Sequence, residues 1–313
     1  MAEGGRAVRV EHDGGVCSIV LCRAEAYNTI TPALRSQLAA AIDHADADPE
    51  TRVVLLRAEG PAFCAGYGLD WATAAQAEED GSGDDDGERA RVWDSAADLR
   101  MISRFADAFM KLWYCSKPVL AAVQGWCIAG GTDLVLCADL IVAGEGASFG
   151  YPPARVWGVP TAPWMWVARL GLERAKRYLL TGDEITATEA ARLGLILEVV
   201  PDAELGERTR ALAERMARLP ANQLQMVKSV CNAAAEDMGL QSSRRLALVF
   251  DGVARHTQEG LDFVTRSREV GIRQAVRERD APFGDYGSGP RARTPPTPAP
   301  PERPHPPPRP GPG

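Results

Sequence analysis

The chain has 313 residues, 45% of them hydrophobic and 25% charged, which suits an ordinary soluble enzyme of one large domain or two modest ones. Its net charge of −7 argues against a nucleic-acid partner, since holding a phosphate backbone generally needs a basic face, although a local group of Lys and Arg could still hold a phosphorylated cofactor. The amino terminus, MAEGGRAVRVEHDGG, carries no apolar run of signal-peptide type. Gln124, Asp133 and Asp139 interrupt the longest apolar stretch, so no transmembrane helix is expected. Seven cysteines, at positions 17, 22, 64, 115, 127, 137 and 231, form no CxxC pair and mostly sit in apolar runs. They read as small core residues of a reducing, cytoplasmic protein. The four histidines, at 12, 44, 256 and 305, show no zinc-ligand spacing, and no metal site is expected.

In chain order, Arg6 to Cys22 alternates and then turns apolar, predicting two strands joined at Asp13–Gly14–Gly15. Thr31 followed by Pro32 is a helix start, with Leu34, Leu38, Ala41 and Ile42 as its apolar stripe. Val53 to Arg57 is a short buried strand. Ala62 to Trp71 (AFCAGYGLDW) is a second, glycine-broken strand end. The acidic stretch 73–91 has almost no large apolar residue and predicts a solvated loop, lying over the mouth of a pocket and ordering when ligand binds. Helical periodicity returns over Arg100 to Leu112.

Lys117 to Leu140 (KPVLAAVQGWCIAGGTDLVLCADL) begins as an apolar run, breaks at Gly125 and again at Gly130–Gly131, then becomes helix-compatible near Asp133. A buried strand, a glycine turn and a helix entered at its N-terminus give that pattern. Backbone N–H groups at such a turn have no internal partner and can be aimed at an anion. Further strands are expected over 140–143, 147–149 and 195–200. Helices are expected over 164–170, 173–180, 187–193, 202–219, 222–238, 241–255 and 258–277. The Pro-rich end, 290–313, cannot pack a core and is expected to be disordered.

Taken together, RAEAYNTI (23–30), VVLLRAEGPAFCAGYGLD (53–70), the Lys117 stretch through Ala143, ASFGYP (147–152) and LLTGDEITATEAARLGLILEVVP (179–201) resemble the crotonase superfamily, or enoyl-CoA hydratase/isomerase family, over roughly residues 6–275. The resemblance implies an α/β fold, a crotonase-like spiral of ββα units with a C-terminal helical region. It implies a catalytic core over 1–201, a helical oligomerisation region over 202–288 and a tail over 289–313. The expected substrate is an acyl-CoA thioester, with coenzyme A entering as part of the substrate and no separate cofactor. The expected assembly is a homotrimer or a dimer of trimers.

By position, the resemblance makes the Tyr67 and Gly130 N–H groups the two donors that hold a thioester oxyanion. Glu25, Ala26 and Tyr27 would line the CoA pocket. Ala65, Gly66, Gly68, Leu69, Trp126, Ala129, Pro152 and Pro153 complete the expected substrate-binding set. Family hydratases use two glutamates, because water must be activated and a proton delivered at adjacent carbons. Here the first position is Asp133 and the second is Pro153, which has no proton to exchange; the usual aspartate after the first oxyanion residue is Gly68. Several readings therefore stand open. Asp133 acts alone as base in an isomerisation. It pairs with Tyr67, Tyr151 or Asp70 in a hydration. The protein decarboxylates a malonyl-type thioester, which needs mainly the oxyanion hole. Asp133 only caps or orders the turn. Or the protein is an acyl-CoA-binding or assembly subunit without chemistry. One competing motif, Gly146-Ala147-Ser148-Phe149-Gly150, fits a hydrolase nucleophile elbow, but Tyr151-Pro152-Pro153 follows where a helix is required.

Overall fold

Alternation along the first segment does build a hairpin. Strands β1 (Val8–Asp13) and β2 (Val16–Leu21) pair antiparallel across Gly14–Gly15. The computed structural model describes residues 6–68 and 94–286. Leu69, Asp70, the acidic stretch and the Pro-rich tail lie outside them.

Helix α1 (Pro32–Ala47) is capped by Thr31, whose Oγ1 accepts the Leu34 N–H at 3.2 Å, with proline at the first helical position. It returns the chain to β3 (Val53–Ala58), parallel to β2. Helix α2 (Ser95–Tyr114) is longer at both ends than its apolar period suggests, because Asp94 caps its start with bonds to the Ala96 and Ala97 N–H groups. It leads to β4 (Val119–Val123), which lies parallel to β3 and is buried along its whole length.

The break at Gly125 redirects the chain into a second sheet. With φ +55 and a hypothetical Cβ 1.9 Å from the Pro61 carbonyl oxygen, only glycine fits there. Strand β5 (Trp126–Ile128), not anticipated as a separate element, pairs with β7 (Ser148–Gly150), and β7 pairs with the two-residue β8 (Ile185–Thr186). Between β5 and β7 come helix α3 (Gly130–Val135) and β6 (Leu140–Gly144). The larger sheet has the order β1-β2-β3-β4-β6-β9, with β9 (Glu198–Val200) at its edge. Only half of the strand expected over 195–200 forms. Gly194 adopts φ +88 and turns the Leu195 and Ile196 N–H groups back onto the Ala190 carbonyl.

Helices α4 (Pro163–Leu170), α5 (Leu172–Leu179) and α6 (Ala187–Leu193) follow; α4 packs on α5, and α6 packs on β7 and β8 of the small sheet. Beyond Pro201 the chain is helical: α7 (Leu205–Ala217), α8 (Ala221–Asp237), α9 (Leu240–Arg255), α10 (Gln258–Val270) and α11 (Ile272–Asp280). The single helix expected over 258–277 is two, because Gly271 at φ +82 and ψ 147 breaks it.

Period two in the sheet sorts its side chains. Ile19, Leu21, Val54, Leu56, Ala121 and Ile141 join the main core, while Val53, Leu55, Leu120 and Val142 pack under Leu205 and Ala213 of α7. Each fully buried aliphatic of this kind contributes about 1.5–3 kcal/mol. No helix among the described residues is long and apolar enough to cross a membrane.

Candidate active site

Two glycine-broken turns meet edge to edge between the sheets. The first is Cys64 to Gly68. Cys64 bridges to Cys127, donating its N–H to the Trp126 carbonyl (2.9 Å) and accepting from Ile128 (3.1 Å). Tyr67 bridges to Ile30 in parallel sense: the Ile30 N–H donates to the Gly66 carbonyl (2.8 Å) and the Gly68 N–H to the Ile30 carbonyl (2.9 Å). In a parallel bridge of this kind the Tyr67 N–H itself faces the opposite way.

The second turn is Ala129 to Asp133. Ala129 has φ 53 and ψ −124, a conformation that L residues rarely adopt, and its carbonyl gathers the Thr132 N–H (2.9 Å), the Asp133 N–H (3.2 Å) and the Thr132 hydroxyl (2.6 Å). Gly130 opens helix α3, so its N–H has no intrahelical acceptor. A Cβ placed on Gly66 would sit 2.8 Å from the Ala129 Cβ and 3.5 Å from the Gly130 nitrogen, which measures how closely the turns approach. A Cβ on Gly130 would strike the Tyr67 ring at 2.7 Å, and one on Gly131 the Cys64 carbonyl oxygen at 2.3 Å. Among the described residues, neither the Tyr67 N–H nor the Gly130 N–H has a hydrogen-bond acceptor.

A cavity of about 800 Å³ opens beside these turns. Of the expected substrate-binding residues, Glu25, Ala26, Tyr27, Ala65, Tyr67, Gly68, Trp126, Ala129, Pro152 and Pro153 line it; Gly66 and Gly130 do not line it but are next to lining residues in the chain, and Leu69 lies outside the described residues. The Glu25 segment is held against the first turn. The Ala65 N–H donates to the Tyr27 carbonyl (3.0 Å), and the Asn28 side-chain amide donates to the Glu59 (2.8 Å) and Ala62 (2.9 Å) carbonyls. The Tyr27 and Trp126 rings pack at 5.8 Å. The opposite wall is α11 and the segment after it. Arg155, with its side chain 2% exposed, holds that segment through Asp280 and Asp285 (both 2.9 Å from Nη1) and stacks 3.8 Å from the Phe283 ring.

Asp133 does not line the cavity. It is 1% exposed; Oδ1 accepts the Thr161 N–H at 2.9 Å, and Oδ2 is buried without a hydrogen-bond partner among the described residues. Burial, and then the nearby Asp251 carboxylate, push its carboxyl well above the usual range. Burial also raises the Tyr67 phenol, whose hydroxyl has no partner and whose ring packs edge-on to Phe105 at 5.6 Å.

Sequence reasoning missed the helical wall. Met101, Ile102 and Phe105 of α2 line the cavity with Asp98, and α9 adds Asp251 and Arg255. The i, i+4 spacing of Asp251 and Arg255 was the available signal, but on an amphipathic helix it looks like an exposed pair. Trp157 lines the cavity too, whereas Trp164 and Trp166 do not. Ser148 of the elbow-like motif is buried in β7, which pairs through it on both sides, so there is no strand-to-helix turn.

The Enoyl-CoA hydratase/isomerase family model matches residues 11–268. The chain belongs to this family. A putative enoyl-CoA hydratase of Thermus thermophilus is 32% identical over 251 residues, covering 80% of this chain and 92% of that one. A probable enoyl-CoA hydratase of Rhodobacter capsulatus is 32% identical over 72% of this chain and 81% of its own. The crystal structure of an enoyl-CoA hydratase from Mycobacterium smegmatis superposes with a TM-score of 0.83 at 42% identity, covering 90% of this chain and 96% of that chain. The fold is thus the crotonase fold, and the family is one of enzymes.

Proposed function

We propose that the protein binds an acyl-CoA thioester with its carbonyl oxygen between the Tyr67 and Gly130 N–H groups, and stabilises the enolate-type oxyanion of an enoyl hydration or isomerisation. One observation carries this reading: two N–H groups on closely packed turns, each without an acceptor among the described residues, beside a cavity that Tyr67 and Ala129 line. Preorganised donors of this kind contribute about 2.7–4 kcal/mol each in a transition state.

Glu25, Ala26 and Tyr27 line the pantetheine side, together with Ala65 and Gly68 of the first turn. Trp126, Pro152 and Pro153 bound the acyl end. Arg273 and Arg277 of α11 line the cavity and offer cations to the CoA phosphates. Coenzyme A enters as part of the substrate, and no separate cofactor takes part. Asp133 holds its proton behind the hole and orders the second turn through Thr161. A malonyl-type decarboxylation fits less well: a free substrate carboxylate would meet Asp98 and Asp251, with Arg255 already shared between them. We also propose that copies of this chain associate as a trimer or a dimer of trimers, with the helices beyond residue 201 at the contact. Exposed Val230 (72%), Leu246 (56%) and Phe250 (49%) on α8 and α9 support this.

Incubation with a panel of enoyl-CoA chains, read by mass spectrometry, tests the reading. We expect gain of one water or an isomer of equal mass, without loss of CO₂. In parallel, an S-alkyl-CoA thioether, which lacks the carbonyl oxygen, should bind at least about tenfold more weakly than the matching thioester. Equal binding of the two, with no acyl-CoA turned over, would reject the assignment.

A further inference from the structure

The family pattern wants a second carboxyl near Pro153, and the chain after β7 does not supply one. A point one Cβ away from Gly158 lies 3.0 Å from the Pro153 Cβ and 3.4 Å from Asp251 Oδ1. The carboxylate of α9 therefore reaches the neighbourhood that the proline leaves empty. Asp251 lines the cavity and is 5% exposed. Its Oδ1 accepts the Val159 N–H at 3.2 Å, two residues from the Thr161 N–H that binds Asp133, so one stretch of backbone anchors both carboxyl groups. Oδ2 is held by Arg255, whose other terminal nitrogen holds Asp98 Oδ1.

This cluster does more than close an ion pair. Asp98 Oδ2 is buried, with the side chain 5% exposed, and has no hydrogen-bond partner among the described residues; the His256 Nδ1 stands 3.9 Å away. A purely structural triad in a family of small-molecule enzymes gains little from leaving a buried acceptor without a hydrogen bond on a cavity wall, with only a long ion-pair contact to His256.

Resting on the acyl-CoA reading above, we propose that Asp251 is the acid–base residue that faces the substrate, with Arg255 and Asp98 as its positioning residues. In a hydration, the Asp251 carboxylate takes a proton from water as the oxygen–C3 bond forms. The C2=C3 electron pair moves into the thioester, giving the enolate held by Tyr67 and Gly130. Asp251 then returns the proton to C2 as the enolate collapses, leaving the 3-hydroxyacyl thioester and the carboxylate restored. In an isomerisation the same oxygen carries a proton between C4 and C2. Asp251 and Asp133 divide the roles: burial raises both carboxyls, but Asp251 lines the cavity and is paired with the Arg255 guanidinium, whereas Asp133 lies off the cavity with no cation against it among the described residues.

The test compares wild type, Asp251→Asn and Asp98→Asn for turnover of the best enoyl-CoA and for deuterium uptake at C2 of the saturated acyl-CoA in D₂O. Calorimetric binding and thermal melts run alongside. Asp251→Asn should lower kcat by about 10²–10⁴-fold with acyl-CoA affinity little changed. Turnover and exchange near wild type would overturn the role of Asp251 while leaving the oxyanion reading intact. A wild type that binds acyl-CoA but neither converts it nor exchanges C2 would remove both. Should Asp251→Asn melt early, Asp98→Asn decides, because it keeps the Asp251–Arg255 pair. The groups around Asp251 are Arg255 on its own helix and His256 just beyond its end, Asp98 on α2, and Tyr67, Tyr151 and Asp133 from the sheet side. Loss of the Asp98 charge should move the acid limb of the kcat/KM profile to lower pH. A limb that does not move counts against Asp251.

Discussion

The two sides of the cavity are built on opposite principles. On the sheet side, the proposed oxyanion donors are main-chain N–H groups, fixed by glycines that pack with no room for a side chain. On the helical side, the polar groups are side chains delivered by α2 and α9, tied by an ion pair between residues 157 apart in sequence. A backbone donor cannot be moved without rebuilding the fold. A carboxylate can pass from one element to another as long as its tip arrives at the same place. The pair of turns is therefore the fixed part of the site and the acid–base wall the replaceable part.

The strongest way to break the sheet side is Gly125→Ala. Its Cβ would lie 1.9 Å from the Pro61 carbonyl oxygen at φ +55, between the two sheets. We expect a loss of about 3 kcal/mol or more, from strain at positive φ added to overpacking against rigid backbone, as a lower urea midpoint. A midpoint within error of wild type would show that the junction of the sheets can relax.

Next in size is Gly130→Ala. It keeps the N–H but drives a methyl group to 2.7 Å from the Tyr67 ring, so both donors shift together. Turnover of a competent enoyl-CoA should fall by about 10²–10³-fold, the effect of displacing an oxyanion donor, with a smaller change in affinity for free CoA. Retained turnover would mean that the turns do not hold the reacting carbonyl.

Asp133 tests the boundary between the two sides. Its carboxyl is raised by burial and by Asp251, so the folded state favours the protonated form. The stability this contributes is fully present below the ordinary carboxylate range and is lost as pH rises through the raised folded value. Asp133→Asn keeps an acceptor for the Thr161 N–H and cannot ionise. Its stability relative to wild type should therefore climb with pH across that window, at up to about 1.4 kcal/mol per pH unit for the single proton involved. Denaturation curves at several pH values read the slope. A constant difference would mean that Asp133 is charged in the fold.

Most of the sheet side was legible in the sequence because its causes are local. Thr31–Pro32 marks a helix start, and Gly125 and Gly130–Gly131 mark breaks where Cβ atoms do not fit. The separate strand at Trp126 was not visible, since three residues carry no periodicity, and Gly271 was passed over inside a helical pattern that continues on both sides. On the helical side, neither Asp98 nor Asp251 announces itself. Each sits on an amphipathic helix, and only packing decides that these two face inward. Asp133 shows the converse. Its position in the motif points to the substrate, yet in the fold its carboxyl turns to the Thr161 backbone.

The smallest effect should come from Tyr67→Phe, and it separates the two sides within one residue. The Tyr67 N–H belongs to the backbone set, whereas its hydroxyl projects toward the carboxylate wall, where Asp133 and Asp251 raise it further after burial. That hydroxyl is buried without a partner, so deleting it removes an unsatisfied group and leaves the ring contacts with Phe105 and Phe109 in place. Stability should hold or rise by up to about 1 kcal/mol. If the N–H is the working part of Tyr67, turnover should stay within about tenfold of wild type, since the backbone donor is untouched. A collapse of turnover in a fully folded Tyr67→Phe protein would instead place the phenol in proton transfer. The acid–base wall would then extend across the cavity onto the sheet side.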